Sequence, residues 1–239
     1  MDPQSTADLH SDALLALLGT PPVGMAFVAE PPAGIPRIER PAASGCTYWR
    51  LAQNGRTFYT EAADHFGCAV GAYTHGAPLP AKEQQELAGL VATMVGLSYL
   101  AQEEVAQLPH RPEPMRYVVY GPLADLPCPP ELVILRGTPR QLMLLGEASR
   151  AAGCADAVPV MGRPACSMVP QVLASARTAT SLGCIGNRVY TELADEQGYL
   201  ALPGAALPAV LAKLQVIEQA NAALQAFHQQ RRQAAESAT

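Results

Sequence analysis

RYVVYGPLADLPCPPELVILRGTPRQLMLLGEASRAAG, residues 116–153, reads as strand, turn, strand and helix in succession. Arg116–Tyr120 and Leu132–Leu135 are short runs of β-branched, aromatic and aliphatic side chains, the composition of buried strands. Gly121 and the prolines up to Pro130 turn the chain between them. Pro139 presets the first turn of a helix to Ala152, and Gly153 ends it. Upstream, Leu87, Leu90, Val91, Met94, Val95 and Leu97 recur at helical spacing within Lys82–Gln107. The uncharged run Leu87–Gln102 is shorter than the roughly 20 residues that span a bilayer, so it predicts a buried core helix, not a membrane segment.

The same alternation of signals extends outward. A helix over 6–18 precedes a strand at Val23–Ala29, a helix that Ser44 caps and Gln53 ends, a strand at Thr57–Thr60 and a helical segment from Cys68 to Tyr73. Downstream come a strand at Val158–Met161, a helix from Pro164 to about Ser175, a glycine-containing turn over 181–188 and a strand at Tyr199–Leu202. A last helix begins near Ala205, where Leu207, Val210, Leu214, Ile217, Asn221, Leu224 and His228 form a heptad seam. Leu211 widens that stripe as in an ordinary globular helix, which favours packing within the chain over a homodimer through the C-terminal helix. With no linker and no repeat, residues 1–239 read as one mixed α+β domain of interleaved helices and short strands. Its core covers roughly residues 10–218, and 219–239 are the polar end of the long C-terminal helix.

Composition narrows the function. Hydrophobic residues make up 49% and charged ones 15%, enough apolar material for a sizeable core. The formal charge of -5, with no basic run beyond Arg231-Arg232, argues against a nucleic-acid partner. The opening Met1-Asp2-Pro3-Gln4-Ser5 has no basic and apolar leader, so the expected location is the cytoplasm, where six cysteines stay reduced.

Glycine-rich phosphate loops, paired-histidine zinc helices and Gly-x-Ser-x-Gly elbows are absent from the sequence. His10, His75, His110 and His228 show no ligand spacing and read as surface or satisfied residues, while His65 stands three residues before Cys68. The cysteines carry more information. Cys46 and Cys166 fall in first helical turns, Cys68 follows Gly67 at a helix restart, and Cys184 lies between glycines. Helix starts and glycine turns present backbone N–H groups and favour negative charge, which predicts lowered thiol pKa values and sulfurs that are reactive or bind metal. Cys128 among prolines and Cys154 after a helix-ending glycine lack that setting. No Cys-x-x-Cys occurs, so any metal site must be assembled from distant segments.

Cys46 with Ala52 and Gly55, Cys68-x-x-Gly71, Cys166, and Gly183-Cys184-x-Gly186-x-Arg188 together form a pattern. With Val23-Gly24, Val118–Leu123 and Leu132–Leu135, it resembles the uncharacterised prokaryotic ArCR family over roughly residues 10–218. That resemblance implies no settled activity. It singles out the same four cysteines that the helix starts do.

Four functions follow as expectations. The first is an iron–sulfur protein in which three or four of Cys46, Cys68, Cys166 and Cys184 hold a cluster, of the four-iron type, acting on a small molecule or a redox partner. Four ligands suit electron transfer, and three leave an iron open for Lewis-acid or desulfurising chemistry. His65 is then a candidate acid or base, and Arg188 either binds a substrate anion or closes its turn with a salt bridge. The others are a structural zinc site, a metal-free thiol enzyme, and a non-enzymatic ligand-binding module.

Overall fold

A computed structural model describes residues 3–98, 100–155, 160–161 and 165–237. The chain runs α1 (Pro3–Leu18), β1 (Val23–Val28), α2 (Cys46–Gln53), β2 (Phe58–Glu61), α3 (Ala69–Thr74), α4 (Ala81–Gly96) and α5 (Gln102–Val105). It continues with β3 (Tyr117–Pro122), β4 (Leu132–Gly137), α6 (Pro139–Ala151), β5 (Val160–Met161), α7 (Met168–Ser175), β6 (Ala179–Ser181), α8 (Ile185–Thr191), β7 (Gly198–Pro203) and α9 (Leu207–Ser237). Short 3-10 turns at Ala62–His65 and Ala165–Ser167 matter for the site.

The fold is α+β, built on one sheet in the order β2-β3-β1-β4-β7-β6-β5. Neighbouring strands pair antiparallel, except that β5 runs parallel to β6. Successive side chains of a strand point to opposite faces, and the sequence uses that period. In β4, Leu132 and Ile134 enter one core while Val133 and Leu135 enter the other. In β7, Tyr199 and Ala201 share the first core, and Leu200 and Leu202 share the second.

The second core is aliphatic. Leu14 and Leu18 of α1, Leu142 and Leu145 of α6, and Leu207, Val210, Leu211 and Leu214 of α9 close over it. Helix α6 starts where it must: Pro139 is at its first position, and the Gln141 side chain accepts from Thr138 N at 2.7 Å. The first half of the α9 seam therefore packs within the chain, whereas Leu224 and Phe227 further along are exposed.

Two expectations of helix packing need correcting. The stripe Leu87–Leu97 does form α4, but that helix has no buried residue and is not a core helix. Helical periodicity shows that one face is apolar, not that something covers it. The helix also stops at Gly96: Ser98 adopts a left-handed φ of 57°, and the short α5 follows instead of a continuous helix to Gln107. Pro164 and Val158 lie outside the described residues. Among the described residues, no helix is long and apolar enough to cross a membrane.

Candidate functional site

The other face of the sheet carries Tyr48, Trp49, Phe58, Tyr120, Tyr199, Cys46 and Cys166 beneath α2, α3, α7 and α8. Each of the four candidate cysteines stands where one of those helices begins. Cys46 is the first residue of α2, and its N–H donates to Ser44 Oγ at 3.3 Å. Cys68 is the N-cap of α3, and its sulfur accepts from Gly71 N at 3.4 Å. Cys184 is the N-cap of α8. Cys166 lies in the turn Ala165–Ser167 that leads directly into α7. The stretch read as a glycine turn is thus a turn and a helix: Gly183, at φ 80°, bends the chain, and Cys184 then opens α8.

Packing brings these four starts together. Helix α2 lies against α8, and α3 lies against the Ala165–Ser167 turn. A Cβ added to Gly71 would stand 3.1 Å from Cys68 Sγ and 3.8 Å from Gly45 N, so the glycine leaves room between two of the cysteine segments. Cys46 feels the charges of Cys68 and Cys184, and Cys166 feels those of Cys46, Cys68 and Cys184. All four are free thiols in one electrostatic neighbourhood.

The expected lowering of thiol pKa values does not hold for the two buried members. Burial pushes Cys46 up to about 12, opposed first by Asn187, with Cys68 and Cys184 adding to the rise and Ser44 opposing it least. Burial, then Cys46, pushes Cys166 well above the ordinary thiol range. A helix start contributes a fraction of a charge, and in a dry interior desolvation outweighs it. Cys46 and Cys166 are neutral thiols at pH 7, not ready nucleophiles.

His65 is fully buried behind the thiols. Its turn is pinned by Asp64, which accepts from Glu61 N at 2.8 Å and from Arg37 Nε and Nη2 at 3.2 and 3.0 Å. Tyr48 Oη donates to the Asp64 carbonyl at 2.5 Å and ties α2 to the same turn. His65 Nε2 shares a hydrogen bond with Thr60 Oγ1 at 2.9 Å. Its Nδ1 is left bare, on the side of Gly45.

Sequence reasoning missed His75. It is not a surface or satisfied histidine: it is wholly buried, its ring centroid 5.6 Å from that of His65. Its Nδ1 donates to the Gly71 carbonyl at 2.6 Å, and its Nε2 has no partner. Burial lowers the pKa of His75 to about 4, and burial with the neighbouring His75 lowers that of His65 well below the usual value. Both rings are neutral at pH 7. Asn187 was missed as well: it is buried on α8, and neither amide atom makes a complete hydrogen bond. It sits inside the Gly-Cys-x-Gly-x-Arg run, which is the signal that could have found it.

The remaining candidates fall elsewhere. Arg188 spends its fork on the carbonyls of Ala194 at 3.1 Å, Leu182 at 2.6 Å and Gln197 at 3.3 Å, with Asp195 3.6 Å away. That is the turn-closing role. Cys154 is buried in the aliphatic core, donating to the Ser149 carbonyl at 3.2 Å, and Cys128 is half-buried in a loop. Among the described residues, no group of three or more histidine, cysteine, aspartate or glutamate side chains already stands arranged to hold a metal ion.

The fold is that of an α+β protein with four cysteines at helix starts over one face of its sheet. The chain belongs to the uncharacterised ArCR family (DUF169), whose profile matches residues 14–213. No curated protein and no solved structure matches it significantly.

Proposed function

We propose that Cys46, Cys68, Cys166 and Cys184 hold an iron–sulfur cluster, of the four-iron type, which serves a redox or a Lewis-acid and desulfurising role on a small molecule. The observation that carries this reading is four free cysteines at helix starts on one face of the sheet, two of them buried where ionisation is costly. Of those two, Cys166 is within electrostatic reach of the other three, and Cys46 of Cys68 and Cys184. Buried sulfurs that repel one another as thiolates are brought together to advantage when a cationic group shares them. The surroundings suit a cluster: a backbone N–H already points at Cys68 Sγ, Gly71 leaves space beside it, and the buried donors Trp49 Nε1 and Asn187 Nδ2 lack partners.

Cys46 and Cys166 are buried, and Cys68 and Cys184 are half-buried. Substrate or a redox partner approaches from the side of the latter pair. His65 has an unpartnered Nδ1, and burial with the neighbouring His75 keeps its ring neutral at pH 7. Six free thiols and this chemistry suit a reducing compartment, the cytoplasm.

Purification without oxygen, with absorbance, iron, zinc and acid-labile sulfide measured on one sample, tests the proposal. The expected result is brown protein with iron and sulfide in matching amounts. Cys46→Ser, Cys68→Ser, Cys166→Ser and Cys184→Ser each impair loading, and Cys128→Ser leaves it intact. Colourless protein holding zinc, or protein that assembles no cluster on reconstitution, overturns it.

A further inference from the structure

The helices over the aliphatic face do not roof the whole width of the sheet. Helix α6 packs on β4 and β7, and beyond it lies β6, whose Thr180 pairs with Leu200 and so shares that face. There a cavity of about 500 Å³ opens to solvent, a size that takes a small organic molecule. One wall is α6, with Leu142 and Met143, and the other is the segment from Leu182 to Gly198 that leads from β6 into β7. Gly198 keeps the floor low, because a Cβ there would stand 3.3 Å from Leu142 Cδ1 and 3.0 Å from the Ser181 carbonyl oxygen. Met143 and Leu182, one on each wall, are 51% and 53% exposed. An apolar ligand takes that surface out of water, and a methionine adapts to its shape. The charges of the rim are unequally matched. Arg150 is engaged by Glu147 through both Nε and Nη2, and Arg188 by the carbonyls of Leu182, Ala194 and Gln197, with Asp195 3.6 Å away. Glu196 has no partner among the described residues. Three carboxylates thus stand against two guanidinium groups, and the unmatched charge is negative.

We propose that this cavity binds a small organic cation, an ammonium group on a compact apolar body. The body lies against Leu142, Met143 and Leu182, and the charge meets Glu196. An anionic ligand would have to take Arg188 from the carbonyls that hold its turn, or Arg150 from Glu147. A neutral ligand would leave Glu196 as it is. The cavity belongs to the face opposite Cys46 and Cys166, so the inference is independent of whether the thiols hold a cluster. The two sites nevertheless share one segment, since Leu182 and Arg188 of the cavity bracket Cys184.

The test titrates the full, metal-free chain with cyclohexylammonium, cyclohexanol and cyclohexanecarboxylate, three probes that share one apolar ring. The readout is the methyl resonance of isotope-labelled Met143, assigned by its loss in Met143→Leu. It is expected to shift saturably with cyclohexylammonium, at higher concentration with cyclohexanol, and least with cyclohexanecarboxylate. Glu196→Gln is expected to weaken cyclohexylammonium about two- to fivefold, the range of an exposed ion pair, and to leave cyclohexanol unchanged. Leu182→Ser, at an exposed position, is expected to weaken the ammonium and the alcohol alike, about fivefold. Val189→Ala, exposed on α8 and outside the cavity, is the control and is expected to change neither. A Met143 signal that no probe moves, or binding that Leu182→Ser leaves intact, overturns the site. A carboxylate that binds as well as the ammonium, or a Glu196→Gln variant that binds the ammonium as tightly as the wild type, overturns the choice of a cation.

Discussion

The two faces of the sheet are made from the same strands and differ in almost everything else. One face is covered by α1, α6 and α9 through leucine, valine and alanine, with Cys154 as its one buried sulfur among the described residues. The other collects Tyr48, Trp49, Phe58, Tyr120 and Tyr199 with Cys46 and Cys166, and it surrounds His65, His75 and Asn187. Most of the buried side-chain atoms without partners lie on this second face. An aliphatic core is the low-cost way to hold a sheet, whereas buried rings, amides and thiols cost free energy unless something completes them. One face is thus closed by apolar packing, and the other keeps buried polar groups without partners.

The comparison can be broken most directly by truncating each face in the metal-free protein. Leu145→Ala on α6, at a site with no exposure, is expected to cost about 2–5 kcal/mol in urea unfolding. Cys166→Ala is expected to cost only about 1 kcal/mol while impairing loading, since it removes one small atom from the core. Equal costs would mean that both faces serve stability alike.

The site face should also be the pH-sensitive one. Cys46 has a folded-state pKa raised from 9.0 to about 12, so the unfolded chain releases its proton first as pH rises. Its contribution is whole below about pH 9 and lost towards pH 12, on the order of 4 kcal/mol. His75 works in the other direction: its pKa is lowered from 6.5 to about 4, so stability is whole above pH 6.5 and lost as pH falls to 4, on the order of 3 kcal/mol. Denaturant midpoints across pH should show both limbs in the metal-free protein, with the acid limb shallower in His75→Gln. A flat profile would remove the contrast between the faces.

A smaller effect sharpens the picture locally. Helix α7 ends at Ala176 with a left-handed φ of 52°, a conformation that glycine adopts without cost. Ala176→Gly is therefore expected to raise stability by about 0.5–1 kcal/mol, read as a higher denaturant midpoint. No change would show that the end of α7 is frayed.

The strands were legible wherever both faces are buried. Val118–Tyr120, Leu132–Leu135 and Tyr199–Leu202 are apolar runs because each side chain is buried. Helix α6 was legible because Pro139 and Gly153 bracket it. The burial of α4 was not, since a stripe on a helix describes the helix and not its neighbours. The placement of the four cysteines at helix starts was legible because helix starts are local features. Their acidity was not, since desolvation depends on what the rest of the chain stacks above Cys46 and Cys166. His75 and Asn187 stayed hidden for the same reason: an unmet hydrogen bond exists only once the partners have been placed, and no spacing records it.

The position of β7 has a consequence for the life of the chain. Although it is the last strand made, it lies inside the sheet, joining β4 to β6. A ribosome that has delivered Cys46 and Cys68 has produced only half of the thiols, and the sheet that gathers the other half cannot close until Pro203 has emerged. Closure of the sheet is thereby deferred until β7 has been made. A chain cut short before β7 carries its first cysteines as ordinary thiols with nothing to organise them.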